Sequence, residues 1–185
     1  MKLNKLFKKI NNKKGFTLIE VMISIFIITQ AVVALISLST SSFFITKYAN
    51  NEIVVNNLLQ EGLDYIRNDR DSMAFQQGST VGWNGFKNKY DSCFDDSGCY
   101  INMVDDQVDS CLNGDCPYFY YDKDANRGRF YSYYTADGFA TSFSRKIKMF
   151  VVDQDIINII VTLRWKNGNL EKTRSLSTSL SNWLQ

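Results

Sequence analysis

The sequence contains no histidine, a single proline (Pro117), and no acidic residue before Glu20. Without histidine, neither Ser-His-Asp nor Cys-His catalysis can be assembled, and no metal can be held by imidazole. With its proline so far along the chain, no helix in the first hundred residues can be kinked by a proline ring. Glycine is missing too from Phe16 to Glu61, so that stretch has neither of the usual helix breakers. The absent acids leave Lys2, Lys5, Lys8, Lys9, Lys13 and Lys14 uncompensated, a basic segment that ends on Gly15.

Beyond this segment runs Phe16 to Ile45, free of Lys, Arg, Asp, Gly and Pro, with Glu20 as its one charge. A spanning helix needs about 20 apolar residues, and this run exceeds that. A secretory signal would have an apolar core of about 7–15 residues closed by a small-residue site, which is not the pattern here. Lysines on one flank direct that flank to the cytoplasm and the remainder outward. Composition alone is met by a signal anchor. Glu20 asks for more, because a carboxylate within a spanning segment costs about 2.5–3.5 kcal/mol at the centre and less near its ends, and such groups need a partner.

Around this junction, Lys14-Gly15-Phe16-Thr17-Leu18-Ile19-Glu20-Val21 resembles the processing motif of type IV prepilins and type II secretion pseudopilins. The resemblance implies cleavage after Gly15 by a prepilin peptidase, N-methylation of Phe16 and a role for Glu20 in assembly. It also implies other pilins, an inner-membrane assembly platform and, before assembly, membrane lipid as partners. Many major pilins carry prolines in this helix; the present chain has none there. Melting of the helix at a proline is therefore not carried over.

Of 185 residues, a leader of fifteen would leave 170, enough for a membrane helix and one head domain. The leader holds six of the 21 Lys and Arg, so the rest sets 15 against 19 Asp and Glu, a formal −4. That balance gives no general attraction to nucleic acid, and none is expected as a partner. The expected organisation is a leader over 1–15, an assembly helix over 16–45, an amphipathic continuation over 46–70 and a head over 71–185. Ile45, Tyr48, Val55, Leu59, Leu63 and Ile66 form the stripe of the continuation.

Residues 71–128 read as loops rich in Gly, Asn, Asp and Ser. Cys93, Cys99, Cys111 and Cys116 lie among them. Outside the cytoplasm, local bridges Cys93–Cys99 and Cys111–Cys116 are the simplest of three pairings. Zinc is the rival, at spacings wider than usual for zinc pairs. Asp122, Asp124 and Asn126 partly follow a calcium-loop pattern, with the glycine one place late and no bidentate glutamate. A turn between strands accounts for the same residues. Apart from that calcium option, no cofactor is expected. The acidic pairs Asp95-Asp96 and Asp105-Asp106 would need a cleft to act as a hydrolytic dyad, so the chain is read as a structural protein, not an enzyme.

From residue 129 the period becomes two. Phe130–Tyr134, Phe143–Val152 and Ile157–Lys166 read as strands, and Asn167-Gly168 as a hairpin turn into Leu170–Leu176. Tyr118–Tyr121 reads as a strand with core aromatics. The expected fold is α+β and pilin-like: a long N-terminal helix packed on a small antiparallel meander of three or four strands. Val161–Trp165, Thr173–Thr178 and Asn182-Trp183 are similar to the tail of V-type minor pilins. Asn57–Gly62 and Arg67–Asp71 resemble that group and the I-type minor pseudopilins.

Overall fold

A computed structural model describes residues 15–122, 130–133, 138–168 and 170–183. One helix, α1, covers Leu18–Gln77, and a second, α2, covers Ser79–Lys89. A short 3-10 turn at Asp91–Cys93 leads to seven strands: β1 Cys99–Asn102, β2 Gln107–Ser110, β3 Tyr118–Asp122, β4 Phe130–Ser132, β5 Phe139–Asp153, β6 Ile156–Asn167 and β7 Leu170–Ser181. The chain divides into two compact units, one ending at Lys47 and one running from Tyr48 to Gln185.

In the second unit all strands join a single antiparallel sheet. β5 is its hub. β3 pairs with the start of β5, β1 meets it at Ile147, and β6 runs beside it from Ser144 to Asp153. β6 and β7 form a long hairpin. Along β6 the inward residues Ile157, Ile159, Val161, Leu163 and Trp165 are all buried, as strict alternation requires of a strand with one wet face. They meet Val55, Leu59, Leu63 and Ile66 of α1 in one core with Ile147 and Met149 of β5. Each such side chain contributes roughly 1.5–3 kcal/mol of transfer free energy when fully buried. The α+β fold, a long N-terminal helix packed on an antiparallel sheet, is the one expected.

Four details differ. The amphipathic stripe begins at Val55, because Ile45 and Tyr48 remain exposed and Leu58 is buried in their stead. Among the described residues the sheet has seven strands, not three or four, since β1 and β2 come from the segment read as loops and β3, the strand expected at Tyr118–Tyr121, joins the same sheet. The hairpin turn is shifted by one residue: Asn167 pairs with Leu170, so the link begins at Gly168, whose φ of 64° suits glycine. Most substantially, residues 71–89 are helical. α1 continues to Gln77, and α2 buries Trp83 and Phe86, with its C-cap Tyr90 buried beside them. Gly82 looks like a breaker in sequence, but its role is close approach. A Cβ there would lie 2.5 Å from the Met73 carbonyl oxygen, so only glycine lets α2 rest on the end of α1.

Two disulfides fix the loops, Cys93–Cys99 and Cys111–Cys116. The first lies in the core; its half-cystines are completely buried and join the 3-10 turn to β1.

Candidate functional site

The N-terminal segment is built from very few residues. Gly15, Phe16 and Thr17 are not helical, and α1 begins at Leu18. The Thr17 hydroxyl accepts a hydrogen bond from the Glu20 amide at 3.3 Å, while the Thr17 carbonyl accepts from Val21 N at 3.2 Å. Thr17 is thus the N-cap, and Thr17-Leu18-Ile19-Glu20 has the spacing of a capping box. Glu20 stands in the first turn, where the positive end of the helix dipole favours a carboxylate. The cap was missed in the sequence reading, although Thr-x-x-Glu before an apolar run is its signal.

Gly15 has an open surrounding: a Cβ added there would meet nothing within 4 Å. Among the described residues nothing demands a glycine at this place.

From Phe16 to Ile45 the large apolar side chains are exposed, Phe16 and Leu18 by 80% each. Such a surface belongs in an apolar medium, and the helix is long and apolar enough to cross a membrane. Its hydroxyls fit that medium as well. Ser24, Thr29, Thr40, Ser41, Ser42 and Thr46 each donate to a carbonyl three or four residues back in the same helix. Those polar groups are satisfied without water. Glu20 is the one charge in this exposed apolar run.

In the head, Asp69 of α1 accepts from the buried Tyr90 hydroxyl at 2.7 Å and from Lys89 Nζ at 2.7 Å. Lys89 reaches Asp106 as well, and the Tyr65 hydroxyl donates to the same carboxylate. This network ties α1, the end of α2 and the β1–β2 connection together. Hydrogen bonds from Lys89 and Tyr65 hold the Asp106 carboxyl below its usual range. Burial alone would lower the Lys89 pKa, but its bonds to Asp106 and Asp69 raise it. Burial, then Asp69, pushes the Tyr90 phenol well above its ordinary value.

The acidic pairs Asp95-Asp96 and Asp105-Asp106 are all exposed, and three of the four carboxylates also have a partner in the head. Besides Asp106, Asp96 lies 3.3 Å from Lys148 Nζ, and Asp105 accepts from Asn102 at 2.7 Å. Of the calcium candidates, Asp122 closes β3 opposite Phe130, and Asp124 and Asn126 lie outside the described residues. Among the described residues no group of three or more Cys, Asp or Glu is arranged to hold a metal ion. Phe119 of β3 is buried while Tyr118 is half-exposed, so the aromatic run is a strand with one face in the core.

A non-helical Gly-Phe step, a capped apolar helix and one carboxylate in its first turn fit a type IV pilin-like N-terminus. Residues 10–40 match the family model of the prokaryotic N-terminal methylation motif. No curated protein and no solved structure matches the chain. A prepilin-type motif implies processing by prepilin peptidase and assembly with other pilins. The match ends inside α1, so the head is described by its own structure alone.

Proposed function

We propose that the chain is a minor pilin-like structural subunit, cleaved after Gly15, methylated on Phe16 and assembled through Phe16–Ile45 into a type IV pilus. The observation that carries this reading is the lipid-compatible surface of the first part of α1, opening on a capped turn that holds Glu20. The basic leader keeps the N-terminus cytoplasmic and sends the head outside. Assembly moves the helix from lipid to a bundle of similar helices, and its backbone is satisfied in both. The new Phe16 amine of one subunit and Glu20 of a neighbour neutralise each other there. That pair sets register more than stability.

The segments Val161–Trp165 and Thr173–Thr178, now the arms of the β6–β7 hairpin, favour a V-type minor pilin. The helix segment Asn57–Gly62 also resembles I-type pseudopilins, which supports a second reading as a minor pseudopilin of a type II secretion or competence system. The test is incorporation. Glu20→Ala leaves membrane insertion intact but removes the subunit from sheared filaments that contain the wild-type protein. Incorporation of the variant at the wild-type level overturns the assembly role of Glu20.

A further inference from the structure

Within the head, the β6–β7 hairpin runs beside α1 in a definite direction. Lys172 Nζ lies 4.1 Å from the centre of the Tyr48 ring, Arg174 pairs with Glu52 at 2.9 Å, and Arg70 donates to the Ser181 carbonyl at 3.2 Å. Followed back from Ser181 to Leu170, β7 therefore travels toward the Tyr48 end of the head. Past Lys172 the hairpin continues about 10 Å further to its turn, at 3.3–3.4 Å per residue. Its charge is unlike that of the rest of the head. From Ile156 to Ser181 it carries Arg164, Lys166, Lys172 and Arg174 against one acid, Glu171, whereas the chain beyond Gly15 has an excess of acids.

Two of these cations are committed inside the head: Arg174 to Glu52, and Arg164 to Asp115 at 2.8 Å and Glu171 at 3.4 Å. The two lysines are not. Lys166 is exposed and pairs with no carboxylate among the described residues, and Lys172 stands over the Tyr48 ring. Between them in sequence comes Leu170, 69% exposed. Chain connectivity sets how far this tip is from lipid. The apolar run from Phe16 to Ile45 rises about 45 Å as a helix, the thickness of a bilayer with its headgroups. Tyr48 follows Ile45 by three residues, which span at most about 11 Å. That is close to the Debye length of about 8–10 Å at ordinary salt, so a cation beside Tyr48 feels the field of an anionic surface. A tyrosine at this depth suits the aromatic belt of a membrane interface.

We propose that the β6–β7 turn is a membrane-surface contact of the unassembled subunit, in which Lys166 and Lys172 bind anionic lipid headgroups and Leu170 inserts among them. The proposal rests on the reading of Phe16–Ile45 as a membrane segment. The contact holds the head against the bilayer surface until the helix leaves lipid.

The test uses the full chain in nanodiscs of phosphatidylcholine, alone or with an equal part of phosphatidylglycerol. The photo-crosslinker p-benzoylphenylalanine replaces Leu170, Val152 or Phe26, one per sample, and lipid adducts are measured by mass spectrometry. Val152 is 59% exposed near the opposite end of the sheet, where Val151 pairs with Ile157. Phe26 lies within the apolar run. Position 170 gives phosphatidylglycerol adducts about fivefold or more above position 152, the factor that one lysine near an anionic surface contributes. Lys166→Gln combined with Lys172→Gln lowers them about fivefold or more, and raised salt lowers them too. Adducts at position 26 with none at position 170 overturn this proposal and leave the membrane reading standing. No adduct at position 26 overturns both. Equal yield with and without phosphatidylglycerol, or an unchanged yield in the double variant, overturns the headgroup contact. Adducts from position 170 to a second protein chain instead of lipid make the turn a subunit contact and overturn the proposal as well.

Discussion

The same helix lives in two solvents. Between Leu18 and Lys47, α1 shows its apolar side chains on all sides, and none is buried within the protein. Between Tyr48 and Gln77 the apolar residues narrow to a stripe, and Val55, Leu59, Leu63 and Ile66 disappear into the core. The first region satisfies six of its hydroxyls, Ser24, Thr29, Thr40, Ser41, Ser42 and Thr46, on its own carbonyls. The second spends its polar groups on other elements: Arg67 donates to Thr178, and Arg70 to the Ser181 carbonyl. The contrast teaches that helix formation is common to both regions and says nothing of function. What separates them is where the side chains find partners: within the head for one, in lipid or neighbouring helices for the other.

Breaking the second region is the largest intervention. Leu59→Ala leaves a cavity in the head core and costs about 2–5 kcal/mol in chemical denaturation, while membrane association stays as in the wild type. Loss of membrane association in that variant would show that the two regions are not separable. Gly82→Ala comes next. The clash with the Met73 carbonyl outweighs the better helix propensity of alanine, for a net loss of roughly 1–2 kcal/mol. Gly85→Ala is the contrast, since its nearest neighbour is the movable end of Gln77 at 3.3 Å. It is neutral or stabilising by about 0.5–1 kcal/mol in the same assay.

Smaller effects sharpen the first region. Thr17→Ala removes the cap and costs about 1 kcal/mol of local helix stability. Faster amide exchange at Leu18–Val21 in micelles would register it, with the head unchanged. The smallest effect is in the head network. Asp106 has a lowered pKa in the folded state, so its contribution is present above the unfolded carboxylate value of about 3.9 and fades as pH falls through the folded one. Lys89 is raised, so its contribution is full below the unfolded value of about 10.4 and is lost as pH rises through the folded one. Asp106 is well exposed, and the gain is correspondingly modest. Melting temperature in Asp106→Asn should fall slightly at pH 7 and lose part of its dependence on acid. An unchanged acid profile would mean the network does not report on Asp106.

How much of this was legible follows the same physical divide. The β6 strand was readable because one face is wet and one dry, so its sequence alternates. The lower half of α1 was readable for the matching reason at helical period. The motif at Gly15–Glu20 was readable because a charge in an apolar run stands out. The second helix was not, since Gly82 serves packing against Met73 and sequence gives no means of telling a packing glycine from a breaker. Trp83, Phe86 and Tyr90 carried the helical signal, but Asn, Ser and Gly around them masked it. β1 and β2 are four residues each, too short for a period to emerge. Arg145 stood among strand apolars in the sequence, yet only the opposing Gly62 and Glu61 make its burial possible.

The most direct test of the account is the mass of the N-terminus after expression of the full chain with an active prepilin peptidase. The account predicts a terminus at Phe16 carrying one added methyl group, with Met1–Gly15 removed. A chain that keeps its leader in the presence of active peptidase would contradict it. The first part of α1 would then be a signal anchor, and Glu20 would have no partner amine.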